Sequence, residues 1–278
     1  MFNRFADAMQ ERGLTFENSP EQYKQMADYV NNSTGRGNVG EKLNKIAPLL
    51  NSLFFSPRLI ASRLNMLTYL AQPRFYKTVP KEVREAYFKD MGKFIGLGML
   101  VLGLFSFAGG EDDDEDKITV ETDPRSSDFG KIKQGNTRWD IWGGFQQYVR
   151  VAAQAISGQR KSANSGKIFD LTGEGPFGKT RADIILSFAR GKLAPVPAMA
   201  IDMFSGRTTI GDKVVMNWGA KEDDKEVSVD RYLKEHLTPL VFTGLMEAIK
   251  DQGVKAIFTV GVTSIFGVGT QTYDLNKK

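Results

Sequence analysis

The stretch Phe94–Gly110, FIGLGMLVLGLFSFAGG, constrains this chain more than any other segment because it carries no charged side chain. It is longer than the runs of about 10–14 apolar residues typical of buried core helices, and shorter than the roughly 20 residues that cross a bilayer. Its glycines lower helix propensity in water, although glycine is frequent in membrane helices and permits close approach of another backbone. Two interpretations therefore stay open: a helix buried within the protein, or a helix in contact with a membrane.

The two flanks of this stretch differ in charge. Arginines and lysines precede it from Arg74 to Lys93, and the acidic run Glu111–Asp116 follows it. In a bilayer the basic side would favour the cytoplasmic face or anionic headgroups, whereas an acidic run is typical of a solvated linker. A second apolar segment, Val254–Gly269, either packs against the first in one core or enters a membrane with it. The side chains assigned to these membrane or buried-core segments are Phe94, Leu97, Leu100, Leu104, Phe107, Ile257, Val260 and Ile265.

Composition excludes several classes of chemistry. The 278 residues include no cysteine, which excludes disulfides, thiolate metal sites and cysteine nucleophiles, and the single histidine, His236, excludes multi-histidine metal sites. We expect His236 to be structural, and we expect no metal and no cofactor.

The 37 basic and 33 acidic residues are interspersed, so the net charge of +4 predicts weak or no direct DNA binding. The N-terminus lacks the apolar run of a signal peptide, which predicts synthesis without Sec export.

Apolar residues at helical spacing dominate the first part of the chain. Ser19-Pro20-Glu21 predicts a helix start, and Ser56-Pro57 predicts a break between two helices within Glu41–Leu70. We expect an irregular connection between Gln72 and Pro80. After it, a helix should open at Lys81 and run directly into the apolar stretch.

The second part adds strand signals. Lys117–Glu121 alternates like a strand, a hairpin is expected around Gly211-Asp212, and Gln159–Gly166 is expected to be basic and flexible. The sequence thus predicts a mainly α fold: an irregular helical bundle with a few short β-strands or one hairpin in the second half. Its predicted divisions are residues 1–110, an acidic linker at 111–122, and residues 123–278.

The segment Asp123–Gly144 concentrates serine, lysine, aspartate and arginine. Ser–Lys hydrolases exist, but no nucleophile elbow or diagnostic spacing is present, so we expect no catalytic residue and no enzymatic activity. Asp123-Pro124 and Ser126–Asp128 are predicted to be turn and capping residues. Aromatic residues and arginines are enriched at protein interfaces, and the candidates for partner contact are Arg58, Arg63, Arg138, Trp139 and Trp142.

Several motifs occur in a recognisable order. They are TGRG at Thr34–Gly37, FFSPRLIASRLNML at Phe54–Leu67, DPRSSDFGKIKQGNTRWDIWGG at Asp123–Gly144, SGQRKS at Ser157–Ser162, ARGKLAPVP at Ala189–Pro197 and FGVGTQTYD at Phe266–Asp274. Together they resemble the C-terminal region of the very large polyvalent proteins of tailed bacteriophages, over nearly the whole chain. In that family the region follows varied enzymatic modules such as methylases, helicases or proteases, and has no established catalytic residues. The resemblance implies a protein packaged in the virion and delivered with the DNA, with this region serving assembly, delivery or membrane passage.

Three functional hypotheses follow from the sequence. The leading one is a non-enzymatic virion protein, internal or tail-associated, that is ejected with the genome and contacts the host envelope. Such a protein would be located in the virion and, after ejection, in the host envelope or cytoplasm. Its partners would be other virion proteins (portal, tail or ejection proteins) and the host membrane. It could form an oligomer. The second is an interaction module that docks cargo or enzyme modules to portal or tail proteins. The third is a DNA-associated antirestriction accessory.

Overall fold

Helices dominate the first half of the chain in the computed structural model. The structure describes residues 2–108, 118–163, 165–174, 178–208, 213–215, 226–228, 232 and 269–272. The helices of the first half are α1 (Phe2–Gln10), α2 (Pro20–Ser33), α3 (Glu41–Asn44), α4 (Ala47–Leu53), α5 (Pro57–Thr68), α6 (Pro73–Lys77) and α7 (Lys81–Ala108). The prediction of a mainly α fold is confirmed.

Local sequence signals set several of these boundaries. α2 begins at Pro20, where proline's missing N–H needs no partner. Ser56 adopts the left-handed region at φ 55°, which interrupts the helical path directly before α5. α7 continues without a break through Phe94, as predicted. The expected irregular connection between Gln72 and Pro80 was wrong in part, because it contains the short helix α6.

The chain divides into two compact units within α7, one ending at Leu97 and the other beginning at Gly98. Aromatic side chains form the core of the first unit. The ring of Tyr87 on α7 lies edge-on to Phe75 with centroids 5.1 Å apart, and its hydroxyl donates to the carbonyl oxygen of Met66 at 2.8 Å. Tyr29 on α2 donates to a carboxylate oxygen of Asp90 at 2.9 Å. These bonds satisfy buried tyrosine hydroxyls and fix the first half of α7 in the core.

A four-stranded antiparallel sheet forms the centre of the second unit. Its strands are β1 (Ile118–Val120), β2 (Ile132–Gln134), β3 (Thr137–Asp140) and, from near the C-terminus, β8 (Gly269–Thr272), in the order β1-β2-β3-β8. Trp139 on β3 pairs with Ile132 on one side and with Thr270 on the other. The predicted strand in Lys117–Glu121 is confirmed as β1. The β2–β3 hairpin lies in a segment that the sequence presented only as polar.

The remaining described elements are short. They are α8 (Gln146–Ser157), β4 (Gln159–Lys161), β5 (Ile168–Asp170), α9 (Arg181–Arg190), α10 (Pro195–Ser205), β6 (Lys213–Val215) and β7 (Glu226–Ser228). The expectation of a flexible Gln159–Gly166 was wrong at its start, because β4 pairs antiparallel with β5. Near Gly211-Asp212, β6 pairs in parallel with β7 and its first residue forms an isolated antiparallel bridge with Arg207. Residues 209–212, which would complete the predicted hairpin, lie outside the described residues.

Candidate functional site

The second half of α7 presents apolar side chains to solvent. Leu97 is 66% exposed, Leu100 57%, Leu104 61% and Phe107 91%, whereas Phe94 is half-buried. Among the described side chains of this half, Leu102 is buried, at 8% exposure. The sequence allowed a helix buried in a protein core. Among the described residues, most apolar side chains of this half are instead exposed.

α7 also meets the requirements of a membrane helix in length and composition. The segment Lys81–Phe107 is long and apolar enough to cross a membrane, and 11% of its most apolar 18-residue window is buried. The uncharged part from Phe94 to Ala108 extends about 22 Å at about 1.5 Å per residue, which is less than the hydrocarbon thickness of about 30 Å. The whole helix is thus long enough to cross, but a crossing would draw charged residues of its first half into the hydrocarbon.

One glycine of α7 is matched to a tryptophan of the sheet. A Cβ atom at Gly98 would lie 2.4 Å from ring atoms of Trp142, whereas one at Gly96 or Gly103 would meet no atom within 4 Å. The indole N–H of Trp142 donates to the carbonyl oxygen of Gly130 at 2.9 Å. Gly130 has φ +68°, and a Cβ there would lie 2.6 Å from the indole nitrogen. Two glycines thus shape the space that the Trp142 ring occupies.

The polar groups of Asp123–Gly144 are used inside the second unit. Arg138 donates to a carboxylate oxygen of Asp128 at 3.2 Å, and both side chains are less than 10% exposed. Lys131 lies 3.7 Å from the other oxygen of Asp128 and donates to the amide oxygen of Gln271 at 3.0 Å. Burial lowers the pKa of Lys131, an effect that the charge of Asp128 opposes. This cluster holds buried cations against one carboxylate and joins β2 and β3 to β8.

The turn chemistry predicted for this segment is confirmed. The backbone N–H of Arg125 donates to Asp123 Oδ1 at 2.9 Å, and that of Asp128 donates to Ser126 Oγ at 3.2 Å. The guanidinium of Arg125 beside Asp123 lowers the pKa of that carboxyl to about 2. Ser126 is fully buried, and its hydroxyl serves the turn.

Motifs far apart in the sequence meet around this sheet. Arg125 of the Asp123–Gly144 motif donates to Gln159 at 2.7 Å, and its carbonyl oxygen accepts from Lys161 at 3.1 Å; both partners lie in SGQRKS. β8, which belongs to the C-terminal motif, pairs with β3. The motif ARGKLAPVP makes a local contact instead, because Lys192 lies 5.0 Å from the ring centroid of Phe188, within cation–π distance. In the first unit, TGRG contacts the following motif, because Gly37 donates to Ser62 Oγ at 2.7 Å.

The predicted partner-contact residues differ in accessibility. Arg58 is exposed, Arg63, Trp139 and Trp142 are half-buried, and Arg138 is 4% exposed in its ion pair with Asp128. A contact with a partner through any of these five residues stays a prediction. Because Arg138 is buried, its guanidinium is poorly placed to contact a partner. His236 and the predicted apolar side chains Ile257, Val260 and Ile265 lie outside the described residues.

Comparisons with protein-family models, with curated proteins and with solved structures found no match to this chain. Among the residues that the structure describes, no group of three or more histidine, cysteine, aspartate or glutamate side chains could hold a metal ion.

Two features of the site were not found from the sequence. The glycines of the apolar stretch indicated that another part of the chain could approach the helix closely. No sequence pattern distinguished Gly98, which Trp142 contacts, from Gly96 and Gly103, which have open space beside them. The other feature is the exposed lysines Lys89 and Lys93 on α7, which had been grouped only as part of a basic flank. Helical spacing was the signal that could have related them to the leucines.

Proposed function

We propose that this chain is a non-enzymatic protein of a tailed-phage virion, internal or tail-associated, that is packaged, ejected with the genome and brought into contact with the host envelope by α7. The observation that carries the membrane part is the exposure of Leu97, Leu100, Leu104 and Phe107 on one long apolar helix. Contiguous exposed apolar side chains mark interaction sites for membranes or proteins. The virion part rests on the ordered motifs and their resemblance to phage polyvalent proteins.

The absence of an enzymatic role is supported by how the polar side chains are used. Ser126 serves a turn, Lys131 is held by Asp128 and Gln271, and Arg138 pairs with Asp128. Each of these groups has a role in the fold that explains its position. A catalytic group would instead face a space that a substrate could enter.

The proposed function can be tested by following the protein through infection. Purified particles of the phage that encodes the chain are probed with an antibody, and host cells are then infected while new protein synthesis is blocked. We expect the protein in the particles and, after ejection, in the envelope fraction of the host, with the major capsid protein as a control that stays in the particle. Absence from particles would refute the virion role, and recovery only in the host cytosol would refute envelope contact.

A second candidate, the interaction module, is supported by a separate surface. On α9 and α10, Leu186 is 65% exposed, Val196 74% and Phe204 94%, and these two helices are joined by an ion pair between Arg190 and Asp202. Replacing Val196 and Phe204 by serine should abolish incorporation into particles if this surface docks to portal or tail proteins. Unchanged incorporation would exclude that role for the α9–α10 surface. The DNA-associated hypothesis gains no comparable support, since Arg125, Arg138 and Lys161 are engaged by carboxylates.

A further inference from the structure

One face of α7 combines cationic and apolar side chains in a fixed order along the helix. Lys89, Lys93, Leu97, Leu100, Leu104 and Phe107 follow one another at spacings of four, four, three, four and three residues. At about 100° per residue, these six side chains fall within a sector of about 80°. All six are exposed, so the two lysines form one end of a solvent-facing strip and the four apolar side chains form the rest.

The opposite side of the same helix is occupied only in part, because Ile95, about 160° from the centre of this strip, is 49% exposed, and Met99, about 120° from it, is 61% exposed. Gly98 and Leu102 lie about 140° and 180° from the centre of this strip, since helix positions rotate by about 100° each. The Trp142 ring lies against Gly98, and Leu102 is buried. The strip can therefore meet a flat partner while the contact with Trp142 is kept.

We propose that this strip, which we call the Lys–Leu face, docks α7 in the plane of an anionic lipid surface. Lys89 and Lys93 contact the headgroups, and Leu97, Leu100, Leu104 and Phe107 enter the outer part of the hydrocarbon. The inference rests on the proposed envelope contact and deepens it by naming the lipid class and the orientation. Helices with this mode of binding lie with the apolar face about 5–10 Å into the boundary between headgroups and acyl chains.

Charge and length both favour a lipid surface in this orientation. Lysines near an anionic leaflet each contribute roughly 1 kcal/mol of attraction, and their long side chains reach headgroups while the helix lies deeper. The distance along α7 from Lys93 to Phe107 is about 21 Å, which is less than the hydrocarbon thickness of about 30 Å. A crossing helix would also have to separate Gly98 from Trp142 and carry the acidic run Glu111–Asp116 across the bilayer.

The lipid class is tested by flotation of the full chain with vesicles. Vesicles of phosphatidylcholine with phosphatidylglycerol are compared with vesicles of phosphatidylcholine alone, at low and at physiological salt. We expect strong preference for the anionic vesicles, weakened by salt, and partitioning about 30-fold weaker in K89Q/K93Q, which removes two lysine contacts. The matched control is K42Q/K45Q, which removes two exposed lysines of the first unit and should float like the wild type.

The results distinguish a failure of the preference for anionic lipid from a failure of membrane contact itself. Equal flotation with both vesicle types, or equal loss in the two lysine variants, would overturn the anionic-lipid inference while leaving envelope contact intact. No flotation with either vesicle type would refute the envelope contact itself and the inference with it.

The orientation is tested by fluorescence quenching. Because the chain contains no cysteine, L100C and F107C each give one site for an environment-sensitive dye. Lipids with a spin label at shallow or at deep acyl positions then report the depth of each dye. We expect the same shallow depth at both positions. A dye at F107C that is deeper than the one at L100C by several ångströms would show that α7 points into the bilayer and would overturn the in-plane orientation.

Discussion

At the residue scale, Gly98 differs from Gly96 and Gly103 of the apolar stretch in what lies beside it. Helical glycine lowers stability by roughly 0.5–1 kcal/mol relative to alanine, so a glycine without a packing role can be replaced with a gain. Gly96 and Gly103 have open space, whereas Gly98 has the ring of Trp142 against it. The same substitution at neighbouring positions should therefore have opposite signs.

We predict that G98A lowers stability by about 1–2 kcal/mol, because overpacking of about 1–3 kcal/mol exceeds the gain in helix propensity. G103A is the matched control and should raise stability by about 0.5–1 kcal/mol. Urea unfolding followed by circular dichroism measures both. If G98A were as stable as G103A, the close contact between Gly98 and Trp142 would not exist in solution.

The ion pair of Asp123 with Arg125 predicts a pH dependence. The pKa of Asp123 is about 2 in the folded chain, compared with about 3.9 for an unfolded aspartate. Its contribution to stability is therefore fully present above about pH 4 and is lost as the pH falls toward 2. We expect D123N to be less stable than the wild type by about 1 kcal/mol at pH 6, and the difference to shrink as the pH falls through 2 and to vanish below it. A difference independent of pH would mean that the carboxylate charge contributes nothing.

At the scale of elements, the second unit depends on a buried carboxylate between two strands. Asp128 precedes β2 and faces two buried cations, Arg138 of β3 and Lys131 next to β2. Removing the shared negative charge should cost about 3–5 kcal/mol, because two charged groups stay buried. We predict this loss for D128N, measured by urea unfolding, and a change below about 0.5 kcal/mol for D170N, where the carboxylate is exposed. Similar losses in the two variants would contradict the role assigned to Asp128.

Several elements specified by local signals could be predicted, and those specified by distant partners could not. The proline at Pro20 and the break before Pro57 identified α2 and α5, and the uncharged run identified the second half of α7. β3 was missed although the β2–β3 hairpin has a local signal, the two-residue turn Gly135-Asn136 between Gln134 and Thr137. The pairing of Trp139 with Thr270 has no local signal. In Asp123–Gly144 the sequence predicted only turn and capping residues, and the structure confirms the turns at Asp123 and Ser126.

At the scale of the whole molecule, the helix α7 ends the first compact unit at Leu97 and begins the second at Gly98. The first half of α7 is fixed by Tyr87 and by the bond from Tyr29 to Asp90. In the second half most apolar side chains are exposed, whereas Leu102 is buried and Gly98 lies against Trp142. The sequence identified the apolar stretch but left open whether protein or lipid covers it, because hydropathy is the same for a core and for a membrane. Among the described residues, Leu97, Leu100, Leu104 and Phe107 are exposed.

Whether the exposed half of α7 contacts lipid is measured by flotation of the full chain with phosphatidylglycerol-containing vesicles, compared between wild type and L100S/L104S. These substitutions replace two exposed side chains, so folding should be retained, as circular dichroism can verify. We expect the wild type to float and the variant to lose at least about 100-fold in partitioning, since the two buried leucines together contribute about 3–6 kcal/mol. Equal flotation of the two proteins would contradict membrane contact through the exposed half of α7.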